Sequence, residues 1–525
     1  MEPTQELEGS YERTLHQILS GSMHRPTQFK SPALGFRPLE EYDVGVVHVR
    51  IGLKKGEGVY FVDEPVLTPS EEASYASALD TVYFTFPAEE LTSEQVGDVL
   101  RAQVNHAADG LGLELPPESV DKVIYYIRRE IFGYGPIDAV MLDPAIEDIA
   151  CDGAGVPITI KHRRYGNLGW LLTNVLFLDE ASLSDFIRRQ AHRVGRGVSV
   201  AQPYGDFILP DGSRMACNLG REVTADGSSF TIRKFPAQPY TLPALIRDGM
   251  LSSLMAAYLW YVIEQKRIIF LAGPTASGKT TLSSALLNML DPKLRYVTIE
   301  DTPEIKLPGF RKVPHVTRRS YTMTTDPQYE VKLVDLMAHS MRERPDYLIV
   351  GEVRTAEQLL AFTRTATTGH GGVTTIHAND PQTLLIRLRA MNADPSALDL
   401  LWGAVVTNCW GRGVRQLRRV TSISEILPPE DTRGEGKIET IFAWKEPVDR
   451  FHPEEVDELQ RLSSRLRLLA RSRGEPDSAV GQAIEEKHAF LNHLVENCTF
   501  GFKAVSQAAK QYYTRRILVE AGWTR

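Results

Sequence analysis

Apolar residues recur in two different patterns along the chain, and the change between them predicts two kinds of domain. Up to about residue 235, short runs of valine, isoleucine and phenylalanine alternate with turns and a few helical segments, which is typical of mixed α+β structure. From about residue 244, apolar strands alternate with helices, and this pattern predicts a parallel sheet with crossover helices. We therefore predict an α/β protein whose parallel-sheet domain follows one or more mixed α+β domains.

The part before residue 235 divides into two segments in this interpretation. Residues 1–115 are predicted to form an N-terminal α/β subdomain, and residues 116–235 a mixed α+β domain. The predicted elements of the first segment are a helix at Tyr11–Leu19, strands at Val44–Ile51 and Val59–Val62, and a helix between Glu89 and Leu111. Those of the second are helices at Val120–Phe132 and Ala181–Val194, strands at Ile146–Ile149, Ile158–Ile160, Leu171–Leu178 and Ser229–Arg233, and two strands joined by a turn within Phe207–Met215.

The second half of the chain begins after a run of prolines. Residues 236–243 are predicted to be a semi-rigid linker, because prolines restrict the backbone there. Residues 244–428 are predicted to form the parallel-sheet domain, and residues 429–525 a charged C-terminal helical appendage. The predicted strands of the sheet are Arg267–Ala272, Tyr296–Ile299, Tyr347–Val350 and Gly372–Ile376, and the predicted helices of the appendage are Val456–Ala470 and Ala479–Glu496.

Composition and charge narrow the classes of function. The net charge of −8 and the pI near 6.0 argue against a nucleic-acid-binding protein, which usually carries a basic surface. No signal peptide and no apolar stretch of about 18–20 residues is found, so we expect a cytoplasmic protein that reaches a membrane through a partner or a surface patch. The four cysteines, Cys151, Cys217, Cys409 and Cys498, are far apart, so no zinc site is expected from them.

A phosphate-binding loop is the strongest chemical signal in the sequence. The spacing Gly273-x-x-x-x-Gly278-Lys279-Thr280 follows an apolar strand and opens a helix, as the P-loop pattern requires. Glycines allow backbone N–H groups to face phosphate oxygens, Lys279 is expected to reach the β- and γ-phosphates, and Thr280 to bind Mg²⁺. The sequence therefore predicts Mg-ATP binding by Gly273, Pro274, Thr275, Ala276, Ser277, Gly278, Lys279, Thr280 and Thr281.

Carboxylates follow two other predicted strands of the same domain. Glu352 comes directly after an apolar strand, where P-loop enzymes place the acid that holds Mg²⁺ and its waters. Glu300, Asp301 and Glu304 follow another strand and suit water activation or metal positioning. The structural alternative is that these are solvated residues at strand ends.

Two histidines and two arginines are further candidates. His370 and His377 flank a strand and would sense the γ-phosphate through hydrogen bonds, although a lone histidine is more often structural. A metal site is another alternative for the pair, but the sequence shows no obvious third ligand. Arg214 and Arg233 end strands of the preceding domain, and an arginine from another domain or subunit would stabilise charge in the transition state. Ordinary surface ion pairs are the alternative for both arginines.

Four motifs in order resemble those of a known family. Gly273–Thr281, Thr298–Glu304, Arg344–Arg354 and Thr368–Ala378 resemble the Walker A, Asp box, Walker B and His box of the ATPases of type II secretion and type IV pili. The resemblance is firm over residues 240–425. Further marks lie in residues 116–235 and look most like the archaeal branch, which includes pilus-assembly ATPases and the archaellum motor; they are Gly133–Ile137, Glu147–Gly153, Leu209–Arg214 and Ser229–Phe235.

The resemblance implies a RecA-like C-terminal domain, a homo-hexameric ring and ATP bound between the two domains of each protomer. It also implies docking on a polytopic membrane platform protein at the inner face of the membrane, and indirect action on pilin-like filament subunits. By position, Glu304 would be the general base and Glu352 the Walker B acid. His370 and His377 would be the His-box residues, and Arg214 and Arg233 would reach nucleotide.

Some features depart from the family pattern. The tetracysteine zinc motif of many bacterial members is missing, and Thr302 stands before Pro303 where bacterial members usually have proline directly after the aspartate. The segment Leu307–Pro314 lacks the Asn-Trp pair expected of an archaellum motor, which favours pilus assembly or secretion. Two other readings stay open, a nucleic-acid translocase on the same core and a nucleotide-bound scaffold that does not hydrolyse ATP.

Overall fold

The computed structural model describes residues 36–85, 93–235, 238–309, 311–318, 330–367, 369–391, 401–427 and 437–520. The helix predicted at Tyr11–Leu19 lies outside these residues, as does the beginning of the predicted linker. The chain divides into two compact units, one formed by Met1–Ala237 with Arg412–Gln416 and the other by Gln238–Gly411 with Leu417–Arg525.

Unit 1 is built on a nine-stranded sheet with the order β1-β2-β3-β6-β5-β4-β9-β8-β7. Its neighbours pair antiparallel except β3 and β6, which are parallel. Isoleucines and valines that alternate along the strands fill the core beneath the sheet. The strands are β1 (Phe36–Val44), β2 (Val47–Lys54), β3 (Glu57–Asp63), β4 (Ile146–Cys151), β5 (Pro157–His162), β6 (Leu171–Leu176), β7 (Tyr204–Ile208), β8 (Arg214–Asn218) and β9 (Ser229–Arg233).

The N-terminal residues do not form a subdomain of their own. β3 pairs with β6, so the first three strands extend the sheet formed by residues 146–233. The strand predicted at Val44–Ile51 begins only at Val47, because Gly45 adopts a positive φ of 62° and turns the chain between β1 and β2. The turn requires a left-handed backbone conformation at residue 45, which glycine adopts without steric cost. The boundary at residue 115 therefore separates sequence patterns within one folded unit.

Three helices of unit 1 form a second small core. Pro69–Thr85, Ser93–Gly110 and Pro117–Ile131 pack together through apolar residues that include Val104, Val120 and Ile127. The sequence predicts the second and third of these helices, but the first is rich in alanine and serine and has a weak apolar pattern. The remaining helices of this unit are Asp138–Leu142 and Glu180–Arg193, with 3₁₀ turns at Gly135–Ile137 and Gly166–Leu168.

Unit 2 contains the parallel core that the sequence predicts. Its nine-stranded sheet has the order β12-β11-β13-β14-β10-β15-β16-β17-β18, and the pairs from β12 through to β15 are parallel. All five residues of β10 are buried, which explains its continuous apolar sequence. The strands are β10 (Ile268–Ala272), β11 (Tyr296–Glu300), β12 (Lys312–Val316), β13 (Tyr347–Glu352), β14 (Gly371–Ile376), β15 (Leu401–Arg412), β16 (Arg415–Leu427), β17 (Lys437–Lys445) and β18 (Arg450–His452). The predicted α/β class with a parallel core sheet is confirmed.

Helices cover the sheet of unit 2. The helix Ser253–Glu264 is buried on every side from Leu254 to Ile263, as expected of a helix inside a large core. The other helices are Leu242–Arg247, Lys279–Leu287, Leu333–Ser340, Ala356–Thr367, Pro381–Ala390, Val456–Leu462, Ser464–Arg473, Asp477–Glu496 and Phe502–Glu520. Among the described helices, none combines the length and apolar character needed to cross a bilayer.

The C-terminal residues form helices over the predicted spans, but they are part of unit 2 and not a separate appendage. β17 and β18 continue the sheet, and a buried carboxylate, Glu425, links it to the helices that follow. Tyr258 donates a hydrogen bond to Glu425 Oε1 at 2.8 Å, and the backbone N–H of Arg465 donates to Oε2 at 3.0 Å. Trp260 Nε1 likewise donates to Tyr513 at 2.8 Å. The charged composition of this region reflects its outer faces, while its apolar residues complete the core.

Candidate nucleotide-binding site

A tightly curled loop joins the central strand β10 to the helix Lys279–Leu287. Gly273, Ala276 and Gly278 adopt positive φ angles of 148°, 62° and 97°. A Cβ atom at Gly273 would lie 2.2 Å from the carbonyl oxygen of Thr407, so only glycine fits there. This conformation, followed directly by a helix N-terminus, is the arrangement that directs backbone N–H groups toward phosphate.

Lys279 lies inside the curl of this loop. Its side chain is 8% exposed, and Nζ donates to the carbonyl oxygens of Gly273 and Pro274 at 2.8 Å each. The ammonium group is thereby held beside the N–H groups that open the helix. The predicted lysine of the loop is therefore placed where it can meet an anionic ligand bound by the loop.

The neighbouring strand β15 supports the loop with a hydroxyl group. Thr407 Oγ1 lies 2.8 Å from Ser277 Oγ and donates to the carbonyl of Ala272 at 3.2 Å. Ser277 Oγ also lies 2.8 Å from the carbonyl oxygen of Pro274. Thr407 is 130 residues away from Ser277 in sequence, so no local pattern indicated its role.

Two further side chains approach the loop from the hairpin β15–β16. Arg418 Nε donates to the carbonyl oxygen of Ala276 at 3.0 Å, and Cys409 Sγ lies 3.5 Å from the same oxygen. Both contacts join segments more than 130 residues apart. Arg418 adds a positive charge at the loop, and the sequence analysis did not identify it.

Glu352 and His377 meet at the same edge of the sheet as the loop. β13, β14 and β10 are adjacent and parallel, so their carboxyl ends lie side by side. His377 Nε2 is 2.9 Å from Glu352 Oε1, and His377 Nδ1 is 3.3 Å from the carbonyl oxygen of Gly273. Glu352 is largely buried, and its Oε1 has no well-aligned hydrogen-bond donor among the described residues. The fold thus joins three of the predicted site residues, Lys279, Glu352 and His377.

His370 lies at the opposite end of β14 and does not reach the loop. The adjacent Gly371 N–H bonds to the carbonyl of Asp346, at the amino end of β13. The six residues of β14 lie between the two histidines, and seven steps of about 3.3 Å separate them by about 23 Å. The expectation that both histidines act at one phosphate is therefore not met within the chain, because an extended strand sends its two ends to opposite edges of the sheet.

Arg354 links the acid that follows β11 to the acid that ends β13. Its Nη1 donates to Asp301 Oδ2 at 2.9 Å, and its Nη2 lies 2.8 Å from Glu352 Oε2. Asp301 also accepts a hydrogen bond from Thr317 at 3.0 Å. The result is a charged row, Asp301–Arg354–Glu352–His377, along the carboxyl edge of the sheet. The spacing Glu352-x-Arg354 was visible in the sequence, but the pairing of Arg354 with Asp301 was not.

Glu304 lies in the loop after β11, and the buried side chain of Glu300 holds that loop. Glu300 is 3% exposed and accepts hydrogen bonds from the backbone N–H groups of Glu304 at 3.0 Å and Ile305 at 3.1 Å. Three strand spacings, about 14 Å, separate β11 from β10. Glu304 therefore shares the carboxyl edge with the P-loop, on a loop of defined backbone position.

Burial raises the pKa of Glu300 to about 7, although the two backbone N–H groups favour the carboxylate. Between pH 4.5 and 7 the folded protein then binds more protons at this residue than the unfolded chain does. The sign follows from linkage: this residue's contribution to stability is highest at low pH, falls as the pH rises from about 4.5 to 7, and is constant above that.

We expect Glu300→Gln to remove this loss of stability. Glutamine keeps an oxygen that accepts the two N–H groups and carries no charge to desolvate. The free energy of unfolding of the variant, relative to the wild type, should rise by about 2–3 kcal/mol between pH 5 and pH 8. Denaturant unfolding at both pH values measures this difference. Glu357→Gln at an exposed position is the control, and an equal response of the two variants would contradict the assignment.

Arg214 and Arg233 are cross-strand neighbours on β8 and β9 of unit 1. Arg214 Nε donates to Asp206 Oδ1 at 2.8 Å, and Arg233 Nε lies 3.9 Å from Asp148 Oδ1. Both side chains are 40% or more exposed, and each is paired with an aspartate of unit 1. A role at nucleotide stays a prediction for both residues.

Comparisons with known proteins agree with this geometry. The family model described as "Type II/IV secretion system protein" matches residues 136–408. The uncharacterized protein MJ0900 of Methanocaldococcus jannaschii is 33% identical over 437 residues, which cover 78% of this chain and 77% of that protein. The probable conjugal transfer protein TrbB of Sinorhizobium fredii is 34% identical over 223 residues, covering 42% of this chain and 65% of TrbB.

Among solved structures, the chain is similar to the ATPase DotB of Yersinia pseudotuberculosis. The sequence identity is 15%, the TM-score is 0.40, and the match covers 70% of this chain and 90% of DotB. That overall similarity is too weak to assign a fold or a function, so the assignment of family depends on the sequence matches.

Proposed function

The chain belongs to the family of type II/IV secretion system proteins, and on this premise we propose that it hydrolyses Mg-ATP to power assembly or export of a pilus-like filament or secretion system. The observation that carries the proposal is the meeting of Lys279, Glu352 and His377 at the P-loop edge of a parallel sheet. A loop that binds phosphate and an acid suited to Mg²⁺ are what ATP hydrolysis requires.

Each side chain of the site has a role in this proposal. The N–H groups of Gly273–Thr281 and the ammonium of Lys279 bind the phosphates. Thr280 and Glu352 hold Mg²⁺, which fits the buried Glu352 Oε1 that lacks an aligned donor. The metal, when bound, neutralises charge that develops on the phosphate oxygens.

The general base and the γ-phosphate sensor follow β11 and β14, the two strands on either side of β13. Glu304 takes the proton of the attacking water, and Glu300 fixes the backbone that carries it. His377 lies between Glu352 and the loop carbonyl of Gly273, so a change at the γ-phosphate is transmitted to both. Arg354 balances the charge of Asp301 and Glu352.

The mechanical role depends on assembly. We propose a homo-hexameric ring at the inner face of the membrane, which docks on a polytopic platform protein and moves filament subunits indirectly. Arg214 and Arg233 are proposed to reach nucleotide and complete each site, and the partial exposure of both side chains supports this. Rotation of an archaellum is an alternative output of the same ring. His370 has no role in the site in this proposal.

A nucleic-acid translocase is the second candidate. Its supporting observation is the similarity to TrbB, which is described as a conjugal transfer protein. The net charge of −8 counts against it, because nucleic-acid binding usually needs a basic surface. Stimulation of ATP turnover by single-stranded DNA would favour this candidate over filament assembly.

The proposed roles of the arginines are tested by Arg214→Ala and Arg233→Ala. We expect each variant to lower ATP turnover by about two orders of magnitude, because a donor aimed at transition-state charge contributes that much. Steady-state phosphate release at saturating ATP measures the effect, at a protein concentration where turnover per chain no longer rises. Arg188→Ala is the matched control, since Arg188 also forms an exposed ion pair, with Asp185 at 3.3 Å. Turnover equal to that of the control would remove the arginines from the site.

A further inference from the structure

A cluster of three metal-binding side chains lies at the outer edge of the unit 2 sheet, away from the P-loop. His315, His339 and Glu343 each direct one ligand atom into the cluster, and these atoms all lie within 4.8 Å of one another. His315 Nε2 is 2.8 Å from Glu343 Oε2, and the rings of His315 and His339 are 5.8 Å apart. Within the described part of the chain, no other group of three histidine, cysteine or acidic side chains meets this spacing.

Two elements build the cluster. His315 belongs to the edge strand β12, on the half-buried face of its alternating burial pattern. His339 is in the helix Leu333–Ser340, and Glu343 follows in the 3₁₀ turn Met341–Glu343. Residues four positions apart lie on the same side of a helix, which brings His339 and Glu343 together. The strand and the helix therefore face each other across the cluster.

We propose that His315, His339 and Glu343 bind a transition-metal ion of the zinc class. Two imidazole nitrogens and one carboxylate oxygen are ligands that zinc accepts, whereas Mg²⁺ and Ca²⁺ prefer oxygen ligands alone. Zinc–ligand bonds of about 2.0–2.1 Å place tetrahedral ligand atoms about 3.4 Å apart, so small rotations of these side chains complete the site. A water molecule takes the fourth position.

This site is distinct from the proposed magnesium site. β12 is the edge strand and β10 is the fifth strand in the sheet order, so four strand spacings, about 19 Å, separate them. The four scattered cysteines gave no indication of zinc, and the ligands found here are of other types. The contact between His315 and Glu343 joins residues 28 positions apart, which no short metal-binding motif spans.

The metal would fix a strand that contacts the charged row. Thr317, two residues after His315, donates to Asp301 at 3.0 Å, and its N–H bonds to the carbonyl of Glu300 at 3.1 Å. Zinc would join this strand to the helix Leu333–Ser340 and so restrain the loop that carries Asp301. We therefore assign the metal a structural role at the edge of the ATPase core.

The test is zinc binding by the full chain. After removal of metal with a chelator, isothermal calorimetry and metal analysis should find one tightly bound zinc per chain. His315→Ala and His339→Ala should each weaken binding by about 100-fold, and Co²⁺ bound in place of zinc should give a tetrahedral absorption spectrum that both variants lose.

Two controls keep the result specific. His452→Ala removes a histidine that pairs with Glu458 at 3.3 Å, and His377→Ala removes one beside Glu352; both variants should keep full zinc affinity. Circular dichroism and the unfolding temperature of the metal-free proteins show whether the ligand variants are folded. If one alanine variant does not fold, Glu343→Gln replaces it, with an expected loss of about tenfold. No bound zinc, or zinc that is lost in His377→Ala and kept in His315→Ala, would overturn the proposal.

Discussion

Replacing Lys279 by alanine is expected to abolish tight ATP binding and to lower turnover by at least about 10²–10³-fold. The reason is the position of the ammonium group, which lies within the loop and 2.8 Å from two of its carbonyl oxygens. In a largely buried site, a charged donor interacts strongly with phosphate, and water cannot replace it. Titration with a fluorescent ATP analogue and steady-state phosphate release measure the two effects.

The control for this prediction is Lys293→Ala, at an exposed position in the same unit. It removes a positive charge from the ATPase core without touching the loop, so binding and turnover should be those of the wild type. Because Lys279 also holds two loop carbonyls, the unfolding temperature of Lys279→Ala must be measured alongside. A folded Lys279→Ala variant with wild-type affinity would show that the loop is not the ATP site.

Glu304→Gln is expected to bind ATP normally and to lower turnover by about 10²–10⁴-fold, the usual contribution of a general base. Glutamine has the same shape and cannot accept the proton of the attacking water. The backbone of residue 304 is held by Glu300, so the loop should keep its conformation in the variant. ATP affinity and the rate of phosphate release, measured on the same preparation, separate the two steps.

Two comparisons make this result specific. Glu357→Gln changes an exposed acid on a neighbouring helix and should leave both affinity and turnover unchanged. Glu352→Gln removes the proposed magnesium ligand, so its loss of turnover should be smaller at high Mg²⁺, whereas that of Glu304→Gln should not depend on Mg²⁺. Wild-type turnover in Glu304→Gln would assign the base to another residue.

The core of the site was predictable because its signals are local. The strand Ile268–Ala272, the loop with its positive-φ glycines and the helix Lys279–Leu287 are contiguous, so spacing alone indicated their arrangement. Glu352 and His377 follow neighbouring parallel strands, and the carboxyl ends of such strands meet. Their association depended only on the correct prediction of a parallel sheet.

The features that were missed depend on contacts between distant segments. Thr407 and Arg418 reach the loop from a hairpin more than 100 residues later, and the cluster around His315 joins a strand to a separate helix. His370 was misplaced because a six-residue strand stands between it and His377. In the C-terminal region, Ile441 and Phe442 are buried residues of β17, although the charged residues around them suggested an exposed helical segment.

The most direct test of the central claim is steady-state phosphate release by the purified full chain over a range of protein concentrations. The reaction is run with Mg-ATP, with a chelator in place of Mg²⁺, and with added single-stranded DNA. We predict hydrolysis that needs Mg²⁺, rises more than linearly with protein concentration, and does not respond to DNA. Absence of hydrolysis under all of these conditions, from a protein that binds ATP, would contradict the claim that the chain is an ATPase motor.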